Sequence, residues 1–420
     1  MSSSAQRIVR IAEPAWRAAV THHADAVHAM LLPGLTPPMH ALNSGKNRHP
    51  TDGDDRWTAL DPQHPVYNFL IEYYGLKGVK GPKRLARWSP APAWILGDSD
   101  RMETLEELEA ASSNKPSISS ADFVRRGGIL LEGATIDDVG SNLHLRGAMP
   151  YSGGVLYSPF SFFDQPDNAS KTSNPYVWYR SVLQQTLRAE PVLHCHGLHE
   201  WAMQYWPPGA DPPPSQQYQS TLPLRVSQQV INTAVERRGI SCTHVDALRY
   251  FAPAAGPLNH HGASLERSQQ LELEQPGCVH AHMDMLKHIL RLSPYCDPTL
   301  VQRVLHVAIQ ARTLDVAASP YDSTHYGVSV IPIETMEGRA QYRMEQQELM
   351  LKATPVRQDL LYAYNVFLNL AFGEDGLQVQ ERRQADPERF ARAEPGGLPW
   401  RRNLIPETRE GTASTTLDGI

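Results

Sequence analysis

Nine of the eighteen histidines of this chain fall between positions 194 and 288, interleaved with cysteines and carboxylates. The run His194-Cys195-His196-Gly197-Leu198-His199-Glu200-Trp201 is the densest part. On a helix, Cys195 and His199 would share a face, and so would His196 and Glu200, four residues apart. Downstream, Cys242-Thr243-His244-Val245-Asp246 sets thiol, imidazole and carboxylate at alternate positions, which a strand would point to one side. The third segment, Cys278-Val279-His280-Ala281-His282-Met283-Asp284, opens a helical pattern in which His280, Asp284 and His288 follow at four-residue steps. Neutral imidazole, thiolate and carboxylate are the ligand types of zinc and non-haem iron. His199, His244, His280 and Cys278 are therefore the candidate metal ligands. Glu200, Asp246 and Asp284 are candidate ligands, orienting groups or general bases, and Arg249 is placed to hold an anionic substrate group. No C-x-x-C pair and no H-E-x-x-H run occurs, so a metal-free acid–base site built from His199, Glu200, His244 and Asp246 uses the same residues equally well. Taken singly, each histidine and cysteine is also an ordinary core residue.

Two further groups carry chemistry. Lys77, Lys80, Lys83, Arg84 and Arg87, next to Trp88, put five cations in eleven positions and form a candidate phosphate or nucleic-acid contact, or a solvated loop. Asp322, in Ala318-Ser319-Pro320-Tyr321-Asp322, is either a catalytic carboxylate or a turn cap. The isolated pairs Gly127-Gly128 and Gly153-Gly154 make no phosphate-binding fingerprint.

These groups need elements to position them. The periodicity predicts helices over Ala15–Leu32, His64–Tyr74, Ser99–Ser113, Asn174–Tyr205 (broken near Pro191), Ser227–Arg238, Val279–Leu292, Pro298–Ala318 and Gly338–Phe372. Gly75–Trp88 reads as a loop, and Thr243–Phe251 as a strand or a short helix. Ser117–Pro159 is the least helical part, with turns and a hairpin. The fold class is mainly α: one large helical domain over 1–372 with minor irregular or β segments. Residues 33–56 are a loop, 99–173 a divergent or inserted region, 207–217 a proline-rich excursion and 373–420 a disordered, mobile tail.

Composition supports this frame. The chain has 420 residues, 41% apolar and 20% charged, enough to bury a core without staples. A net charge of −6 disfavours a broad basic face for duplex nucleic acid. Four cysteines, Cys195, Cys242, Cys278 and Cys296, are too sparse for a disulfide framework, so reduced thiols are expected. No stretch approaches the ~20 apolar residues of a membrane span. Met1–Arg10 lacks the apolar core of a secretory signal, so an intracellular, cytoplasmic protein is expected; a mitochondrial presequence is the alternative, opposed by the helix that begins near Pro14.

The motifs HPVYNFLIEYY, LARWSP, GLHEWAMQY, CTHVDALRYF, LEQPGCVHAHMD and ASPYD, in that order, resemble a group of bacterial and eukaryotic proteins that carry the name 3-methyladenine DNA glycosylase. The resemblance runs from about Trp16 to Leu361. It implies that His199, Glu200, His244, Asp246, Arg249, Cys278, His280, Asp284 and Asp322 belong to the family pattern and that His196 and His282 do not. Base excision would require a base stacked on aromatics, for which Tyr73, Tyr74, Trp88, Trp201 and Tyr205 are candidates, and phosphates held by the Lys/Arg segment. The chain carries no Leu-Pro-Gly-Val-Gly hairpin of the helix–hairpin–helix glycosylases. Three functional classes follow: a small-molecule enzyme with a buried His/Cys/carboxylate site that uses zinc, iron or no metal, a DNA N-glycosylase, and a non-catalytic binding protein with a structural polar core.

Overall fold

Helix α1 (Glu13–Leu31) starts where Pro14, lacking an N–H, fits the first turn, and it buries Trp16, Val20, Ala24, Val27 and Leu31 at helical spacing. The computed structural model describes residues 7–33, 57–90, 102–104, 128–151, 153–159, 166–211 and 222–384. The chain is mainly α, with one small sheet among the described residues.

That sheet has the strand order β2-β1-β3-β5-β4 over β1 (Arg7–Ile11), β2 (Met102–Thr104), β3 (Gly128–Glu132), β4 (Ala148–Tyr151) and β5 (Gly154–Tyr157). β1 pairs parallel with β3, and the other pairings are antiparallel. One sequence expectation is corrected here, and one strand appears that the pattern does not predict. Arg7–Ile11 is an interior strand, whose Val9 and Ile11 pack on Trp16 and Val20 of α1. Met102–Thr104, read as helix, is an edge strand; the rest of 99–113 lies outside the described residues. The hairpin expected in 117–159 is β4–β5, turned through Gly153 at φ 79°.

The segments 64–88 also depart from their patterns. Only Asn68–Glu72 (α2) is helical in 64–74, because the His64 ring accepts the N–H of Val66 at 3.2 Å and holds the preceding residues in turns. The supposed loop after Gly75 contains helix α3 (Lys80–Leu85). Its buried Leu85, with Leu76 and Ala86 beside it, gives an apolar face that the cation-rich composition conceals.

The helical body follows: α4 (Pro166–Arg188), α5 (Leu198–Met203), α6 (Gln228–Glu236), α7 (Val245–Leu248), α8 (Gln270–Leu273), α9 (Val279–Leu292), α10 (Pro298–Ala317) and α11 (Met336–Gln384). α9 lies along α10, while α11 packs against α4, α10 and α9. The large core between them is sealed by Trp201, Tyr342, Tyr364 and Phe367, all fully buried. Fully burying a side chain of that class contributes about 1.5–3 kcal/mol. α11 continues to Gln384, past the Phe372 at which the pattern suggests an end. Residues 34–56, 212–221 and 385–420, which hold the expected loop, most of the proline-rich excursion and most of the tail, lie outside the described residues. Among the described residues no helix is long and apolar enough to cross a membrane.

Two local expectations about the histidine segments are corrected. Cys195 and His196 are not on a helix with His199 and Glu200, because α5 starts only at Leu198 after left-handed residues His196 (φ 52°) and Gly197 (φ 65°). Gly197→Ala is expected to destabilise the fold by about 1–3 kcal/mol in urea unfolding. A Cβ there would sit 2.9 Å from the Ala318 methyl and 3.1 Å from the Tyr342 ring, at a φ that L side chains avoid. Cys242–Asp246 is not one strand either. His244 caps α7, its Nδ1 accepting the Ala247 N–H at 3.2 Å, which turns Asp246 into the first helical turn.

Candidate active site

Three separate segments meet at the imidazoles. His199 comes from α5, His244 from the cap of α7 and His280 from the first turn of α9. The ring centroids of His199 and His280 are 4.6 Å apart, and those of His280 and His244 5.5 Å. His280 therefore sits between the other two. On α9, one turn further, Asp284 Oδ2 stands 3.4 Å from His244 Nε2. His199, His280 and Asp284 stay partly open to solvent, while His244 is buried.

A cationic fence surrounds the carboxylates. Asp246 accepts from Arg267 at 2.6 and 3.1 Å and from Arg249, and Lys287 Nζ lies 3.4 Å from Asp246 and 3.7 Å from Asp284. Tyr73, Tyr250 and Phe251 form an aromatic wall: Tyr250 meets Tyr73 edge-on at 5.8 Å, and the Phe251 ring is 5.7 Å from that of His199. On the far side, Arg312 of α10 donates to Glu200 at 2.8 Å, to Asp315 at 2.5 Å and to the Pro65 carbonyl at 3.0 Å, all in the interior.

The protonation states diverge within this small space. Burial alone would lower the His244 pKa, but Asp284, then Glu274 and Asp246, outweigh it and hold the imidazole above its ordinary value. Burial dominates at His280, outweighing the opposing pull of Asp315, and its pKa falls to about 4. His199 is also driven well below the ordinary value, by burial and then by His280 and Arg312. At Asp284 burial would raise the pKa, yet Lys287 and His244 overcome it, so the carboxylate stays ionised; Asp246 is held down the same way by Lys287, Arg267 and Arg249. Burial raises Glu274 and Glu200. The surroundings thus drive the pKa values of two neighbouring imidazoles in opposite directions, His244 up and His280 down.

Acidification should expose this arrangement as lost stability. His280 and His196 both titrate near 4 in the fold, whereas the unfolded imidazole takes its proton near 6.5. Above pH 6.5 neither state binds the proton. Between 6.5 and 4 only the unfolded chain does, so stability falls with pH by up to about 1.4 kcal/mol per unit for each such group. Urea unfolding at pH 7.5, 6 and 5 reads the slope, and His280→Gln should reduce it.

The other sequence candidates are placed differently. Cys278 caps α9 from the interior. Burial first, then Cys242 and Cys195, push its thiol well above the usual range, so it belongs to a thiol group rather than to the imidazoles. Asp322 is half-buried and accepts from the Thr324 N–H at 3.1 Å and its hydroxyl at 2.5 Å, so it caps a turn. Arg249 is spent partly on Asp246. Of the basic segment, Lys77 and Lys80 are exposed, Lys83 is half-buried, Arg84 donates to the Tyr74 carbonyl and Arg87 to that of Gly140, so the five do not form one face. Trp88, Trp201 and Tyr205 are core residues. Composition and spacing missed Arg267, Glu274, Lys287, Arg312 and Asp315. Lys287 was legible as the residue three after Asp284 on the same helix face, and Asp315 stands in the same relation to Arg312.

The start of α9 is fixed by two amides. Gln275 Oε1 accepts from Val192 N at 2.8 Å and Gly277 N at 2.7 Å, and Gln346 Nε2 donates to the Gly277 carbonyl at 2.6 Å. Among the described residues no three His, Cys, Asp or Glu side chains converge on one point as ligands of an ion. Compared with known proteins, the chain matches no family profile, no curated protein and no solved structure.

Proposed function

We propose that the chain is an enzyme that transforms a small molecule by proton transfer between His244, paired with Asp284, and the neutral His280. The observation that carries this reading is the contact of two imidazoles whose surroundings drive their pKa values in opposite directions. In this mechanism His244 acts as general acid through Nε2, which faces Asp284; when the ring takes its proton, Nδ1 gives up the Ala247 N–H that it accepts when neutral, and Asp284 balances the charge. His280 accepts one as general base, and His199 supports the His280 ring. Tyr73, Tyr250 and Phe251 would pack the apolar or planar body of the substrate. Arg249, half-exposed at the rim, would meet an anionic group on it.

The buried His199 Nδ1, His244 Nε2 and Asp284 Oδ2 make no complete hydrogen bond within the protein, and these donor types also suit zinc or ferrous iron. Elemental analysis of the native protein separates the two versions: less than about a tenth of an equivalent of either metal removes the metal-dependent one. The enzyme reading itself is tested by incubating a small-molecule cell extract with the wild-type protein and with His280→Ala, followed by mass spectrometry. Consumption of a component by the wild type alone supports it. Identical spectra from two folded proteins overturn it and leave a non-catalytic binding protein.

A second reading, base excision, follows from the resemblance and is favoured by one observation: Tyr73 and Tyr250 offer aromatic faces beside His199. Asp246 and Glu200 are engaged by guanidinium groups, which leaves Asp284 as the carboxylate to activate water. Release of alkylated base from an oligonucleotide, lost in Asp284→Asn, is the expected result; no release by the wild type disposes of this reading.

A further inference from the structure

α9 carries the histidine cluster at its first turn and borders an arginine-lined cavity at its last. Arg291 lies eleven residues beyond His280 on this helix, about 16 Å away at 1.5 Å per residue, so the two are separate sites. The cavity, about 230 Å³, opens between the sheet and the helical body. Arg84 reaches it from α3 and Arg87 from just beyond that helix, His144 and Arg146 from the segment before β4, Arg291 from α9 and His23 from α1. The residues lining it in the described chain include no Asp or Glu.

The cations are packed as a site would hold them. The Nε atoms of Arg87 and Arg291 are buried and have no hydrogen-bond partner within the protein. Leaving a buried charged donor unmatched is costly, and four guanidinium groups in one pocket repel one another. The field is strong enough to be felt by a neighbour: burial first, then Arg87, Arg146 and Arg84, drive the His144 pKa down to about 4. His144 stays neutral, with Nδ1 bonded to Ser293 Oγ at 3.1 Å, and adds no further positive charge. His23 is tied on both ring nitrogens, to the Leu85 carbonyl at 2.9 Å and to Gln302 at 3.0 Å, and forms a fixed wall. Arg146 is exposed and marks the mouth.

We propose that this cavity binds a small phosphorylated molecule, with Arg87 and Arg291 gripping the phosphate from inside and Arg84 and Arg146 closing over it. Guanidinium forks match the oxygens of a phosphate in pairs, which lysines do not. The volume falls below the roughly 300–1,000 Å³ of pockets for larger ligands, so the site takes a phosphate on a short body rather than a nucleic-acid strand. Lys77 and Lys80, the exposed members of the basic segment, do not line it.

The test is calorimetric titration of the full chain with inorganic phosphate and pyrophosphate at constant ionic strength, with chloride as the control. The wild type should bind one equivalent saturably. Arg87→Gln and Arg291→Gln should weaken binding by about tenfold or more, and Lys80→Gln should leave it unchanged. Arg146→Gln, at the exposed mouth, should also weaken binding, and it keeps the test decisive if an interior variant fails to fold. No saturable heat from the wild type, full affinity in the arginine variants, or a loss in Lys80→Gln as large as theirs would each overturn the proposal; the last outcome would assign the charge to an open polyanion surface.

Discussion

Arg312→Met should destabilise the fold by about 3–5 kcal/mol in urea unfolding at pH 8. Arg312 is 7% exposed and holds two interior carboxylates, Glu200 and Asp315, 3% and 0% exposed. Methionine fills the volume and removes the charge, leaving both carboxylates in a medium that disfavours ions. The pH dependence identifies the cause. Burial already raises the Glu200 pKa with Arg312 present, and it should rise further without it. A carboxyl whose folded pKa lies above its unfolded one is stable protonated, so the variant should lose stability as pH rises from 5 to 8. Adding Glu200→Gln and Asp315→Asn to Arg312→Met should recover much of the loss, because a buried ion pair is worth little against neutral groups of the same shape. A deficit under about 1 kcal/mol, or one flat with pH, would show that the triad does not hold this part of the core.

The second large effect concerns the proton on His244. Asp284→Asn should lower the His244 pKa from above the ordinary imidazole value to below it, because burial is then opposed mainly by weaker groups. Asp284 is the strongest of the groups that oppose burial at this ring, ahead of Glu274 and Asp246. Imidazole nitrogen shifts in a labelled protein read the change directly. Asp246→Asn is the control and should move His244 less, since Asp246 acts from further down that order and is engaged by Arg267 and Arg249. Turnover of any substrate that the extract screen identifies should fall by about 10²–10⁴-fold in Asp284→Asn, the usual worth of a positioned acid. A His244 titration unchanged in Asp284→Asn would remove the proposed acid.

The sequence exposed the site by residue type and failed mostly on local geometry. The periodicity of Val279–Leu292 matches α9 residue for residue, because caps and an apolar stripe are local features. Membership of His199, His244 and His280 in one cluster was legible as three dense segments, although nothing in their spacing required them to meet. Their orientations were not legible. Alternation across Cys242–Asp246 fits a strand, but the His244 side chain caps a helix instead, a choice that four residues of pattern cannot settle. Cys278 looked like a ligand because it stands beside His280 in sequence; the helix start turns it inward, towards Cys195 and Cys242. Arg312 and Arg267 were hidden because each reaches its partner across a long sequence separation. β1 was missed because a five-residue strand near a terminus carries too little pattern, and its partners lie over ninety residues away.

The amide clamp at Gly277 has a consequence for recovery from acid. Glutamine side chains carry no ionisable group, so the grip of Gln275 and Gln346 on the start of α9 is indifferent to proton concentration. Protonating His280 in acid changes the charge mounted on that helix without loosening its mooring. Where acid has not unfolded the chain, the start of α9 should therefore keep its register while the proposed acid–base pair is protonated, and the pair should recover its charges when neutrality returns.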